Sequence, residues 1–220
     1  MWNAVKQYFR GWVDHPHLGR RIAIACAATI LMGVCVLALE WLQVGTDPFS
    51  CVCIGLSHLM GIDLQIIEPV VHAVTLCVVL FVARDLFGFG SLANIFLVGI
   101  AHDFILKNFL NSQLPELPET GMRILLFTVF AGLFLLAVSA YVSAELGTSP
   151  YDAAPIILHR KLQKRWPKLS FTVIRVIWDG AFALLGLALG GPFGAVTVAC
   201  VIFLGPLITW MSKFMKKIVA

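Results

Sequence analysis

The sequence predicts an all-α fold: a polytopic membrane helix bundle of two tandem repeats. Composition is the first reason, with 60% of residues apolar and only 13% charged, about half the charge of an ordinary soluble domain. The second is that the apolar residues fall in runs close to the ~20 residues a helix needs to cross a bilayer. The third is a repeated motif: Gly45-Thr46-Asp47-Pro48-Phe49-Ser50 returns as Gly147-Thr148-Ser149-Pro150-Tyr151-Asp152. Each copy closes a long apolar run, opens a short helix and is followed by two more apolar stretches. The later of these begins at Gly88-Phe89-Gly90-Ser91 in one half and Gly194-Ala195-Val196-Thr197 in the other. A duplicated apolar unit broken at the same place in both halves is a common build for membrane transporters.

Residues 1–21 read as an interfacial helix rather than a cleavable signal, because they are too polar and basic for a signal core. Trp2, Val5, Phe9 and Trp12 recur at helical spacing among Lys6 and Arg10, and Asp14-His15-Pro16-His17 breaks the segment before Arg20-Arg21. Repeat 1 then covers 22–107, a connector with Pro115 and Pro118 covers 108–121, repeat 2 covers 122–213, and a basic tail covers 214–220. Six runs are long enough to span, roughly 22–44, 65–84, 91–107, 123–146, 170–189 and 194–212. The segments 48–61 and 150–160 are not. At about 1.5 Å per residue the longer reaches only ~20 Å, against a ~30 Å hydrocarbon core.

Start signals mark both short segments. Asp47 is an N-cap followed by Pro48, and Ser149 is an N-cap followed by Pro150, with Asp152 in the capping-box position. The glycines before them are expected to stop the long helices. Basic residues set orientation. With the N-terminus in the cytoplasm and both short helices returning to the side they entered from, Arg20, Arg21, Arg84, the bases of 160–168, Lys213, Lys216 and Lys217 face inward. Each half then holds three spans and the repeats are inverted. A second arrangement also satisfies the charge rule: both short helices cross, giving eight spans and parallel repeats. Bilayer thickness favours the inverted form. Either way both termini are cytoplasmic. Trp41, Trp166, Trp178 and Trp210 lie near the expected interfaces.

Ionisable residues within spans are costly, so they are candidate functional groups. Glu68 and His72 lie four residues apart on the helix after the first short segment, and Arg175 and Asp179 lie four apart on the corresponding helix of the second half. That spacing puts each pair on one face, and Pro69 loosens the ladder between the first pair. Asp103 follows His102 late in another run. The binding candidates for a small molecule or ion are therefore Asp47, Glu68, His72, Asp103, Asp152, Arg175 and Asp179. Glu68, Asp103 or Asp179 could exchange a proton, and Arg175 could hold an anionic group or counter Asp179. The N-termini of the two short helices would favour an anion nearby. A plainer reading competes. Capping alone explains Asp47, Ser149 and Asp152, and each charged pair can neutralise itself. Glu40 and Glu145 lie near span ends where they can reach the interface, and His58 and His159 read as partly wet surface groups.

Other chemistry is not indicated. The six cysteines are scattered and mostly apolar in context, and Cys51-x-Cys53 with His58 fits no common zinc spacing. No catalytic triad, phosphate loop or metal-protease motif is present, so neither an enzyme nor a cofactor is expected. The net charge of +4 comes from bases at helix ends and is no nucleic-acid signal. Small residues along 88–99 and 186–205, with Gly99 and Gly205 at matching positions, predict close helix contacts.

The second half reads G-T-S-P-Y-D, then L-S-F-T-V-I-R-V-I-W-D, L-G-G-P-F-G-A-V-T and F-L-G-P-L-I. It resembles the YczE/YyaS group of bacterial integral membrane proteins and, more distantly, the YitT group, over about 22–212. The positions that carry the resemblance are Gly147, Pro150, Asp152, Arg175, Asp179, Thr197, Gly205 and Pro206, with Gly45, Pro48, Gly90 and Gly99 in the first half. Val196 stands where a second turn glycine is expected. The resemblance implies the bacterial plasma membrane more firmly than any activity. The sequence therefore points first to a small-solute transporter working by alternating access around a midplane site between repeats. Two alternatives stand beside it: a substrate-capture subunit served by a separate motor, and a membrane scaffold docking a cytosolic partner through 159–168. Expected partners are the lipid bilayer and a small solute or ion; a homodimer is left open.

Overall fold

The computed structural model describes residues 17–110, 113–203 and 205–206. The expected interfacial helix up to residue 16, the basic tail, and residues 204 and 207–212 of the sixth run lie outside the described residues. Within them the chain is helical, with no strand. The order is α1 (Leu18–Trp41), α2 (Pro48–Met60), α3 (Leu64–Val82), a 3-10 turn (Arg84–Leu86), α4 (Phe89–Asn108), α5 (Thr120–Ser143), α6 (Pro150–Leu162) and α7 (Phe171–Ala188). A further helical run, α8, starts at 195. Among the described residues α1, α3, α4, α5 and α7 are long and apolar enough to cross a membrane. The two short helices have 13 residues each. Helix α1 starts earlier than its apolar run, so Arg20 and Arg21 belong to its first turn.

The caps form as their sequences predict. Asp47 accepts from the Ser50 N–H at 3.1 Å, and Ser149 accepts from the Asp152 N–H at 3.1 Å. Pro48 and Pro150 take the first helical position, where a missing N–H costs nothing.

The glycines of the repeated motif do something other than stop helices. Helix α1 ends at Trp41 and α5 at Ser143, and the left-handed residues that follow are Gln43 (φ 52°) and Glu145 (φ 55°). Gly45 (φ 95°) and Gly147 (φ 104°) lie two residues further on. There the motif of each half docks on the glycine turn of the other. Leu146 C=O accepts from the Gly90 N–H at 2.7 Å, and Val44 C=O accepts from the Val196 N–H at 3.1 Å. The Thr148 N–H donates to Leu86 C=O at 2.9 Å, and the Thr46 N–H donates to Pro192 C=O at 3.0 Å. The same two hydrogen bonds are thus made in both directions. Side chains follow suit, since Ser91 accepts from the Gly88 N–H and Thr197 from the Gly194 N–H. Val196 needs no glycine, because its N–H is the group the dock uses.

Longer-range packing crosses in the same way. Helix α2 lies against α7, and α3 against α6, while α1 packs on both α4 and α5. Cys35, Val36, Ile54, Ile67, Phe134 and Val138 form one apolar core from four helices. A second cluster joins Val79 and Ala83 to Ala153 and Ile157 of α6. Gly99 lets α4 approach α3 closely, with Gln65 Cα 2.8 Å from where a Cβ would stand. Outward-facing positions are apolar, with Phe81, Val74, Ile177 and Leu184 all well exposed. Such a surface suits lipid rather than water.

Candidate functional site

The first turns of the two short helices meet. Phe49 of α2 and Tyr151 of α6 hold equivalent places in the repeated motif, and their ring centroids are 5.1 Å apart. Around them is a cavity of about 60 Å³ lined by Asp47, Glu68, His72, Asp152 and Arg175, with Asn94 of α4 and apolar residues of α1 and α5. At about 10–15 Å³ of such space per water, it has room for a few waters or a ligand of a few heavy atoms.

The second half of the cavity is internally satisfied. The Arg175 Nη1 donates to Asp152 at 2.6 Å and Nε donates to Asp179 at 2.7 Å. The Tyr151 hydroxyl donates to the other Asp179 oxygen, and the Arg175 guanidinium lies over the Tyr151 ring at 5.4 Å. The expectation that Arg175 counters Asp179 holds, but the pair is not closed within α7. It reaches across to the N-terminus of α6, so two carboxylates occupy the guanidinium. Asp179 is fully buried behind Arg175.

The first half is built from equivalent positions and lacks that closure. Glu68 is the fifth residue of α3, as Arg175 is of α7; His72 is the ninth, as is Asp179. Glu68 and His72 are each 1% exposed, and no hydrogen bond between them is present. Glu68 Oε2, His72 Nδ1 and Asp47 Oδ2 are buried without a hydrogen-bond partner among the described residues. His72 stacks on Phe49 at 4.3 Å. Buried polar atoms without partners are uncommon and ask for a reason. Glu68 and His72 therefore do not neutralise one another as the plainer sequence reading has it.

Asp103 is not part of this cavity. It sits in a second polar cluster, where its Oδ2 accepts from the Gln65 N–H at 2.9 Å and its Oδ1 faces His102 Nδ1 at 3.0 Å. The other ring nitrogen of His102 faces Glu40 at 2.9 Å, and Glu40 also pairs with His58 at 3.1 Å. Both His102 nitrogens face carboxylate oxygens, an arrangement satisfied in full when both carry a proton. Glu40 is only 8% exposed, so it does not reach out to the interface as its place near a span end suggests. Its partners stand 18 and 62 residues away, and only the fold brings them close. His58 is largely exposed, as expected, and tethered to this cluster. Nearby, the Lys107 ammonium beside Asp63 holds that carboxyl below its ordinary value.

Phe49, Tyr151 and Asn94 are site residues that the charge-led reading of the sequence does not single out. The signal for the aromatic pair was present, since both occupy the fifth place of the repeated motif.

Long apolar helices around buried ionisable groups define an integral membrane protein of the polytopic helical class. Residues 19–213 match the family described as "Family of unknown function (DUF6198)", and the chain belongs to that family. It is 27% identical over 169 residues to "Uncharacterized protein YyaS" of Bacillus subtilis (strain 168), covering 74% of this chain and 78% of that protein. The resemblance to the YczE/YyaS group is thereby established. No solved structure gives a significant match.

Proposed function

We propose that the protein is a small-solute transporter of the bacterial plasma membrane, working by alternating access around the Phe49–Tyr151 cavity. The observation that carries this reading is the meeting of two short-helix N-termini, one from each half, over buried charged groups. Discontinuous helices that converge near the middle of a duplicated fold are the recurrent substrate site of secondary transporters. The reciprocal docking of the two motifs on the opposite glycine turns gives the halves a shared hinge surface.

In this reading the repeats are inverted, with six spans and two re-entrant helices. The chain leaves α1 at Trp41, dips inward through the motif, and comes back out along α2. Glu40 at the end of α1 and His58 at the end of α2 are 3.1 Å apart, so the end of α2 lies beside the point where the chain left. The same end holds the Asp63–Lys107 pair and the connector, whose Pro115 carbonyl accepts from the Trp41 indole at 2.9 Å. A Gly61→Cys variant, on a background with the native cysteines replaced, is expected to react with an impermeant maleimide from the same side as Gln113→Cys. Labelling from opposite sides means α2 crosses, and the inverted architecture falls.

Transport itself is tested in proteoliposomes on a solid-supported membrane. Concentration jumps of small amines, amino acids and carboxylates are expected to give a transient current for at least one class. Asp179→Asn, which leaves Arg175 less well anchored, is expected to reduce that current severalfold. Silence of the wild-type protein across all classes, with reconstitution verified, rejects the transporter reading.

A further inference from the structure

The two halves of the cavity are built alike and charged differently. In the second half a guanidinium lies over an aromatic ring and is gripped by two carboxylates: Arg175, Tyr151, Asp152 and Asp179. In the first half Phe49 stands in place of Tyr151, and Glu68 stands in place of Arg175. The ring is kept there, Ser50 and His72 stand where Asp152 and Asp179 do, the two carboxylates are Asp47 and Glu68, and the cation is missing.

Formal charges give the same answer. Asp47, Glu68, Asp152 and Asp179 contribute −4 and Arg175 contributes +1, a balance of −3 when all are ionised. Protonating His72 still leaves −2. Carboxylates buried this deeply need a counter-charge or a proton. Arg175 is spent on Asp152 and Asp179. The oxygens left without a partner, Asp47 Oδ2 and Glu68 Oε2, both belong to the first half. The short-helix N-termini, expected from sequence to attract an anion, are already faced by their own carboxylates.

On the reading of this cavity as a transport site, we propose that its ligand is a small organic cation of the guanidinium type, held by Asp47 and Glu68. A planar donor fork suits two carboxylates. The cavity of about 60 Å³ restricts the ligand to a few heavy atoms. Protons compete for the same carboxylates, so the bound cation and protons displace one another. The other groups that face these two carboxylates are His72 on α3, Cys51 and Cys53 on α2, His102 and Asp103 on α4, Cys200 on α8, and Tyr151, Asp152, Arg175 and Asp179 from the second half, while Asn94 of α4 lines the cavity without charge.

The test measures thermal unfolding of the detergent-purified full chain against millimolar guanidinium, methylammonium, sodium, nitrate and formate, alongside proteoliposome currents. Guanidinium is expected to raise the midpoint more than the other ions, and its apparent affinity is expected to rise with pH. Glu68→Gln is expected to weaken it about ten- to hundredfold, the equivalent of losing one charge-assisted hydrogen bond. Asp47→Asn is a second variant that keeps a competent N-cap while removing a charge, and it should weaken binding similarly. Stabilisation by sodium equal to that by guanidinium, stabilisation by nitrate or formate instead, or unchanged affinity in both variants overturns the proposal. Anion-driven currents that depend on Arg175 would sink the cation while keeping the transporter. Guanidinium binding without any current would keep the cation and sink the transporter.

Discussion

Arg175→Ala is expected to destabilise the folded protein by about 3–5 kcal/mol, the usual cost of removing one partner from a buried charge pair. The guanidinium is the shared counter-charge of Asp152 and Asp179, at 2.6 Å and 2.7 Å. Asp179 is completely buried, so without Arg175 its charge keeps only the Tyr151 hydroxyl. Arg175→Lys retains the charge but loses the fork that reaches two carboxylates at once, and is expected to lose less than Arg175→Ala. The double variant Arg175→Met with Asp179→Asn removes both charges of the deepest pair. It is expected to recover most of the loss, because neutral replacement of a buried pair is often harmless. Asp152, whose side chain is about a third exposed to the cavity, can then be hydrated. Denaturant or thermal unfolding in detergent measures all three. A double variant as unstable as Arg175→Ala would mean that Arg175 acts through packing, and the charge account would fail.

What the sequence disclosed and what it withheld divide along a physical line. Local rules placed both short helices within two residues, because Asp47-Pro48 and Ser149-Pro150 are start signals that act through the adjacent backbone. Five of the seven candidate residues also line one cavity. The local rules failed wherever the deciding partner is distant in sequence. Glu40 looked like a group at a span end until His102 and His58 closed around it. Asp103 looked like a cavity residue but turns to His102 and to the first turn of α3. Gly45 and Gly147 looked like helix stops because that is the commonest local use of glycine. Their real constraint is another half of the molecule, which no local pattern contains.

That constraint gives the second large effect. Gly45→Ala and Gly147→Ala are each expected to cost about 2–5 kcal/mol. Left-handed backbone at φ 95° and 104° contributes about 1–2 kcal/mol for a residue with a Cβ. Overpacking contributes about 1–3 kcal/mol more. At Gly147 the new methyl would stand 2.5 Å from the Gly88 nitrogen and 2.8 Å from Ser91 Oγ. At Gly45 it would stand 2.6 Å from both the Gly194 nitrogen and Thr197 Oγ1. These neighbours are backbone or short side chains tied into the dock, so they cannot swing away. Two control glycines separate the contributions. Gly61→Ala has φ 64° and open space around it, so it should show the backbone cost alone. Gly132→Ala sits in the interior of α5 with nothing within 4 Å, and should be neutral or stabilising by up to about 1 kcal/mol. The informative comparison is between the two motif variants. If the docks are equivalent, the two losses should be similar in size and both larger than that of Gly61→Ala. Each dock also positions the first turn of a short helix, Phe49 in one half and Tyr151 in the other. Damage at either should therefore disturb the cavity from one side. A Gly45→Ala protein no less stable than Gly61→Ala would show that the motif and the opposite turn are merely neighbours, and the mechanical link between the halves would have to be sought elsewhere.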